Sequence, residues 1–548
     1  MHRVGMKGWV VPSIILAGIL TRWTIGMGSY SGYASPPMFG DYEAQRHWME
    51  ITLHLPISEW YRYDLQYWGL DYPPLTAYVS WLCGAVGSLI EPSWFTLDES
   101  RGIETKGSKL FMRATVLAFD YLIYVPALWW FTRTCLAGRS KRTQNFALVT
   151  LLFQPALLLI DFGHFQYNSV MLGFAVLAIN CFFSGRDTLG AFFYVCSLCF
   201  KQMALYYAPA VGMYLIGKCI YLGPSEGTKL LIRLSLVTSL SFLLLFLPFL
   251  PPFASLSSIL DPITRIFPFN RGIFEDKVAN FWCASNVVFK WRLWASRDTL
   301  VRLSALLTVL GFLGAAIAPV KAWLRLRSSL SDTISGTPSV MQPVLLYALL
   351  NSSLSFFLFS FQVHEKTILL PLLPLSLLLS GAAADSTTFS LGVLCNNIAV
   401  FSIWPLLKRD GLVVQYFALL VLWNRMIGYN PLQRPLAMVR MFHPSIVYVA
   451  CFAVHIAELV IPPPSRYPDI YPVLNVLVST PVFGLTWLWS IKSIIEARWA
   501  VGGLSVSTGG ANLQHDGTPA VLTPATEDDG TELSALSLKG MGHHRCLR

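Results

Sequence analysis

Charged residues are scarce in this chain of 548 residues. They make up 13% of the sequence, against 54% hydrophobic residues. Such a composition excludes an ordinary water-soluble domain and is typical of a protein with many membrane spans. A charge at the centre of a bilayer costs about 2.5–3.5 kcal/mol. The remaining charges are therefore expected in loops, water-filled cavities or sites.

The sequence also lacks regularly spaced cysteines and a single concentrated cluster of basic residues. The ten cysteines are scattered, and the close pair Cys196 and Cys199 lies in an apolar run, which favours neither a disulfide framework nor a metal or redox motif. The net charge of +10 comes from basic clusters between apolar runs. Topology determinants are distributed in this way, so no nucleic-acid partner is expected.

Long apolar runs are what the chain has instead. About fourteen of them approach the ~20 residues that a helical span needs. They cover about 9–26, 112–132, 145–162, 168–184, 187–200, 203–222, 229–251, 301–320, 341–360, 367–383, 388–406, 412–428, 443–461 and 471–491. The run from Trp9 to Leu20 has no small-residue cleavage site after it, which indicates an uncleaved first span.

The basic clusters predict the orientation. If the N-terminus is cytosolic, the clusters around Arg139, Lys321 and Arg425 all fall on the cytosolic side, as the positive-inside rule requires. An even number of spans then makes both termini cytosolic. The polar segments 27–111 and 252–300 lie on the far side, as two large loops.

Two parts of the chain differ in composition. Residues 1–500 are expected to form one membrane-embedded module. Residues 501–548 are rich in Gly, Ser, Thr and Asp and cannot bury a core, so they are expected to form a disordered cytosolic tail.

The first far-side loop contains a short helical pattern. After Asp41, the residues Ala44, Trp48, Ile51 and Leu55 recur at helical spacing, which predicts an amphipathic helix on the membrane surface with Trp48 at headgroup level. Asp41 is explained as a helix N-cap. A capped carboxylate is also oriented and ionised, as a general base must be, so both roles remain open.

An aromatic stretch follows in the same loop. From Glu59 to Tyr78, rings such as Trp68 alternate with carboxylates and amides. This pattern is typical of a membrane interface, and it also provides the apolar platforms and hydrogen-bond acceptors that a sugar requires. Asp71 in this stretch is equally well explained as a turn residue before Pro73 and Pro74.

Six stretches carry a resemblance to a known family. In chain order they are "GDYEAQRHWMEIT", "YDLQYWGLDYPPLT", "IDFGHFQYNSVMLG", "CFKQMALYYAP", "RIFPFNRGIFEDKVANFWC" and "FSFQVHEKTILLPLLP". They resemble the dolichyl-phosphate-glucose-dependent α-1,3-glucosyltransferases of the endoplasmic reticulum, over most of residues 9–495. The sequences at 44–48 and 66–69 resemble the members that add the first glucose to the lipid-linked high-mannose oligosaccharide more than those that add the second.

The resemblance implies a fold and a location. The expected architecture is an all-α polytopic membrane protein with the C-type glycosyltransferase fold, about fourteen transmembrane helices, and amphipathic helices in the first lumenal loop. The expected location is the endoplasmic reticulum membrane, with the active site facing the lumen.

The resemblance also implies a reaction. Glucose would pass from dolichyl phosphate glucose to the terminal mannose of the dolichyl-pyrophosphate-linked oligosaccharide, with inversion, forming an α-1,3 linkage for protein N-glycosylation. The family's catalytic base matches Asp41, with Asp71 and Glu43 as the reserve candidates for that role. His364 matches the family's functional histidine and is expected at the donor phosphate. Neither a cofactor nor a metal is expected.

Other polar residues of the far-side segments are candidates for binding phosphate or sugar, because a leaving phosphate needs cations or amide donors around it. They are Glu43, Arg46, Trp68, His164, Gln166, Asn168, Lys201, Arg271, Lys277 and Lys366. Helix capping, loop solvation and interfacial snorkelling explain several of them equally well. Glu275 and Asp276, followed by Lys277, form no defined ligand set for a metal.

Two other classes of protein remain as alternatives. A transporter also has many spans, but its ionisable residues would lie in mid-span, whereas here they lie in the far-side loops. A structural subunit of a larger glycosylation complex is the third interpretation. Turnover by the purified single chain would exclude it.

Overall fold

The computed structural model describes residues 5–267, 277–329, 338–361, 363–431 and 444–502. Within these ranges the regular structure is helical. The α-helices are α1 (Val10–Gly26), α2 (Asp41–His54), α3 (Pro74–Ile90), α4 (Lys106–Phe119), α5 (Val125–Thr134), α6 (Lys141–Leu152), α7 (Pro155–Leu157), α8 (Asn168–Phe183), α9 (Asp187–Phe200), α10 (Ala208–Phe246), α11 (Leu260–Ile266), α12 (Phe281–Phe289), α13 (Arg297–Ser329), α14 (Met341–Phe359), α15 (Leu369–Ser380), α16 (Thr387–Ser402), α17 (Trp404–Arg409), α18 (Val413–Met426), α19 (Pro444–Val460) and α20 (Ile470–Gly502).

The predicted apolar runs coincide with helices. Runs 203–222 and 229–251 share one long helical stretch, which is kinked where Gly223 adopts a φ of 82° before Pro224. By length and composition, seven helical segments of the described residues could cross a membrane: Lys7–Gly26, Lys106–Thr134, Lys141–Phe165, Gln202–Phe249, Arg297–Ser328, Met341–Phe359 and Ile470–Val501. Six shorter apolar helices accompany them. The count of fourteen spans stays a prediction, and the tail beyond 502 lies outside the described residues.

Two helices lie at the centre of the packed core. In α8 and α14 nearly every side chain is buried, polar ones included. Helix α8 packs against α5 and α9, whereas α14 packs against α13, α15 and α20. Because both helices pack against several others, they set the positions at which the segments that follow and precede them begin and end.

Helix α2 is confirmed, but its predicted position on the membrane surface is wrong. Residues from Tyr42 to Thr52 are buried, and α2 packs against α3. Trp48 is 3% exposed and donates its indole N–H to the carbonyl oxygen of Trp68 at 3.0 Å. Part of the polar face of the helix is hydrogen-bonded inside the protein, as described below for Arg46. An amphipathic pattern does not distinguish a lipid surface from a polar protein interior.

A buried ion pair joins α1 to the next span. The Arg22 guanidinium Nε lies 2.8 Å from the Asp120 carboxylate, and both side chains are 0% exposed. Asp120 begins the π-helical turn Asp120–Tyr124 between α4 and α5. A charge in such a place is tolerated only with its partner, because either one alone would be buried without compensation.

The Arg22→Met variant is expected to lose about 3–5 kcal/mol of stability, because it leaves Asp120 unpaired. Thermal unfolding of the purified protein in detergent measures the loss. The control is Lys229→Met, which removes an ion pair to Glu226 between side chains that are 58% and 64% exposed, and it should change little. Equal melting temperatures for the two variants would contradict the assignment. Combining Arg22→Met with Asp120→Leu should restore most of the stability.

Candidate active site

The loop before α2 fixes the position of Asp41. Gly40 is the N-cap, and the backbone N–H of Asp41 donates to the hydroxyl of Ser31 at 3.1 Å. Gly32 has a φ of 76°, and a Cβ placed on it would lie 2.1 Å from the backbone of Phe39. Only glycine permits this close return of the chain. The expectation that Asp41 is the N-cap is wrong, since its carboxylate does not cap α2 and points elsewhere.

Three side chains from distant parts of the sequence converge on one oxygen of Asp41. Its Oδ2 accepts hydrogen bonds from Lys366 Nζ, from Gln166 Nε2, and from His164 Nε2 at 3.0 Å. Lys366 follows α14, whereas His164 and Gln166 precede α8. The Asp41 and Lys366 side chains are 23% and 19% exposed, so a reactant can reach them from one side.

Positive charge determines the ionisation of Asp41. Burial raises the pKa of its carboxyl group, but the charges and hydrogen bonds of Lys366 and His164 outweigh burial and hold the pKa well below its usual range. Asp41 therefore remains ionised at neutral pH. A carboxylate this strongly stabilised is a weak base for as long as both neighbours stay in place.

A buried polar chain orients the amide of Gln166. Lys201, which is 1% exposed, donates to Gln166 Oε1 at 2.6 Å and to Asn168 Oδ1 at 2.9 Å. Asn168 Nδ2 in turn donates to Asp161 at 2.8 Å. Because an ammonium group can only donate, it fixes the amide oxygen of Gln166 on its own side and turns the NH₂ group toward Asp41.

Other predicted site residues have structural partners. The buried Arg46 guanidinium donates to Glu43 at 2.6 and 2.8 Å and to Glu50 at 2.7 Å, which holds the first loop together. Trp68 donates to the carbonyl oxygen of Met38 at 2.5 Å. These contacts favour a structural role for Glu43, Arg46 and Trp68, and their binding of substrate stays a prediction.

The remaining predicted residues are described by the neighbours that the structure gives them. His364 caps the short turn that carries Lys366, and its carbonyl oxygen accepts from the Thr367 N–H at 3.0 Å. Asp71 is within electrostatic reach of Lys201. Lys277 lies 3.2 Å from Asp469, in another part of the surface. Arg271, Glu275 and Asp276 lie outside the described residues.

The sequence reasoning missed Asp410. It follows α17, is 4% exposed, and its Oδ2 lies 2.5 Å from His164 Nδ1. Both ring nitrogens of His164 thus lie within hydrogen-bond distance of a carboxylate oxygen, so a proton on either nitrogen has an acceptor. The available signal was an acid in the short segment between the runs 388–406 and 412–428.

The comparison with known proteins decides the family. The profile described as the ALG6, ALG8 glycosyltransferase family matches residues 18–489, a range that includes Asp41, His164, Lys366 and Asp410. The chain belongs to this family. It is therefore a glycosyltransferase.

Similar proteins cover most of the chain. A Saccharomyces cerevisiae protein named dolichyl pyrophosphate Man9GlcNAc2 alpha-1,3-glucosyltransferase is 44% identical over 521 residues, which is 89% of this chain and 92% of the yeast protein. The Gallus gallus protein of the same name is 37% identical over 89% of this chain and 98% of its own length. The Rattus norvegicus protein, also of that name, is 40% identical over 86% of this chain and 94% of its own.

Because Asp410 contacts His164, replacing Asp410 is expected to lower the turnover of this glycosyltransferase. The Asp410→Asn variant keeps the size of the side chain but removes the carboxylate that holds the imidazole of His164, so kcat is expected to fall about 10–100-fold, the effect of losing one hydrogen bond to a charged group. Steady-state kinetics of the purified variant measures the effect. Asp385→Asn, at an exposed acid between α15 and α16, is the control and should keep wild-type kcat. Wild-type kcat in a folded Asp410→Asn variant would show that the contact is not needed.

Proposed function

We propose that the chain transfers glucose from dolichyl phosphate glucose to the terminal mannose of a dolichyl-pyrophosphate-linked high-mannose oligosaccharide, forming an α-1,3 linkage with inversion. Membership of the ALG6, ALG8 family and the names of the three relatives support this reaction. The observation that carries the mechanism is the convergence of Lys366, His164 and Gln166 on one oxygen of Asp41.

Asp41 is the proposed general base. Inversion requires a single in-line displacement at the anomeric carbon. The acceptor hydroxyl oxygen forms the new bond, the bond from carbon to the phosphate oxygen breaks, and the hydroxyl proton passes to Asp41. The electron pair of the broken bond leaves with dolichyl phosphate, which gains negative charge. The partly open face of Asp41 is where the hydroxyl group approaches.

Lys366 is proposed to serve both the base and the leaving group. Its ammonium group donates to the Asp41 carboxylate, its side chain is 19% exposed, and it lies on the short turn capped by His364. A donor phosphate bound at this turn competes with Asp41 for the ammonium group. As Lys366 moves to the phosphate, Asp41 loses the positive charge that most lowers its pKa and becomes a stronger base. The base is then activated only while the donor is bound.

Three further assignments belong to this proposal. The fold is the C-type glycosyltransferase fold, the active site faces the lumen of the endoplasmic reticulum, and both termini are cytosolic. The reaction needs neither a metal nor a cofactor. Addition of the first glucose is preferred over addition of the second, because the three relatives are named for the acceptor Man9GlcNAc2.

The Asp41→Asn variant is expected to lower kcat at least ~100-fold, the lower range of a general base. Purified protein is assayed with dolichyl phosphate glucose and with lipid-linked acceptors that carry either no glucose or one glucose, with chelator present throughout. Asp298→Asn, at an exposed acid at the start of α13, is the control.

Near-normal turnover by folded Asp41→Asn would overturn the base assignment. A requirement for added metal would overturn the metal-free mechanism. Reaction with only the monoglucosylated acceptor would assign the second glucose instead.

The pH profile of Lys366→Met tests the interaction with Asp41. In the wild type the depressed pKa of Asp41 keeps the base ionised, and kcat/KM is lost only as the pH falls through that low pKa. Without Lys366 the effect of burial is less opposed, so the acid limb is expected to move to higher pH by about 1 unit or more. Lys106→Met, at an exposed position, should leave the limb unchanged. An acid limb at the same pH in both variants would contradict the proposed coupling.

A further inference from the structure

A cationic cavity lies apart from the contacts around Asp41. It has a volume of about 750 Å³ and lies between the turn that links α12 to α13 and the loop that links α19 to α20. Its lining includes four cationic side chains and one carboxylate: Lys277, Lys290, Arg292, Arg466 and Asp469. The lining is therefore net positive, even with Lys277 and Asp469 paired at 3.2 Å.

The backbone presents two of these cations in an uncommon conformation. Lys277 has a φ of 48° and Lys290 a φ of 50°, the left-handed region that residues other than glycine rarely adopt. Lys290 ends α12 in this conformation. A left-handed residue is a common way to end a helix, so this conformation fixes the position of Lys290 without by itself indicating a ligand.

Apolar side chains around the cavity place it at the edge of a membrane. On the turn that carries Lys290, Phe289, Leu293 and Trp294 are 56%, 83% and 80% exposed. The long apolar helices α13 and α20 begin next to the cavity. Exposed aromatic and aliphatic residues beside cations at the ends of spans are typical of the headgroup level.

The cavity lies at the same end of the helices as Asp41. Trp282 of α12 donates its indole N–H to the carbonyl oxygen of Phe359 at 2.7 Å. Phe359 is the last residue of α14, and the segment after it leads directly to Lys366. A ligand in the cavity would therefore face the same compartment as the reacting groups.

We infer that this cavity binds the pyrophosphate group of the lipid-linked acceptor. The inference rests on the proposed function. The pyrophosphate and the reacting mannose are at opposite ends of the acceptor oligosaccharide, so the pyrophosphate cannot bind beside Asp41 while the mannose reacts there. Lys366 is assigned to the donor phosphate. A second anionic group at headgroup level requires a second cluster of cations, and this cavity provides one.

The test is acceptor kinetics of a double variant, Lys290→Gln with Arg466→Gln. The KM for the lipid-linked acceptor should rise about tenfold, the loss expected when charge-assisted hydrogen bonds to the pyrophosphate are removed. The kcat and the KM for the donor should stay at wild-type values. Lys106→Gln, at an exposed cation of the first loop, is the matched control and should leave all three constants unchanged.

Two further measurements separate the possible sources of the anion. Inorganic pyrophosphate should compete with the acceptor in the wild type and compete several-fold less well in the double variant. With the protein reconstituted in lipid nanodiscs, replacing neutral lipid by phosphatidylserine should leave the acceptor KM unchanged. Unaltered acceptor KM in the double variant, or competition by phosphatidylserine in place of pyrophosphate, would overturn the inference. Absence of glucose transfer by the wild type would instead overturn the proposed function, so the two failures are distinguishable.

Discussion

The whole site depends on keeping one largely buried carboxylate ionised. Asp41 can hold its charge there only if positive and hydrogen-bonding groups surround it, because an unpaired buried charge is far too costly. Lys366, His164 and Gln166 supply those groups, and they come from segments far apart in the chain. The buried helices α8 and α14 position these segments. Much of the helical core therefore serves to bring complementary charges to one oxygen.

The same stabilisation makes Asp41 a poor base until something removes part of it. Lys366 is the contact best placed to move, since it is partly exposed and the donor brings a phosphate that competes for it. His164 is buried between two carboxylates and stays fixed. In the proposed mechanism Lys366 moves when the donor binds, whereas His164 stays in contact with Asp41. This difference makes proton transfer depend on the presence of the donor.

The sequence predicted the elements of this fold better than their surroundings. Helix α2 was found from its periodicity, but the same periodicity suggested lipid where the structure has protein, because Arg46 pairs with Glu43 and Glu50 inside the fold. From the sequence, His164, Gln166 and Lys366 are candidates as polar residues of the far-side segments that could donate to phosphate or sugar, but the sequence does not predict that all three meet at Asp41. Asp410 also lies between two apolar runs, but no local pattern marks it as a site residue. Its partner His164 is 246 residues away in the chain.

The central claim is that a single carboxylate, Asp41, acts as a base in one displacement at the anomeric carbon. The most direct test is the anomeric configuration of the glucose in the product, determined by NMR and compared with that of the donor. The account predicts inversion, because a base that only accepts a proton leaves one inverting step. Retention of configuration would contradict it, since two successive displacements would require a carboxylate that forms a covalent bond to glucose.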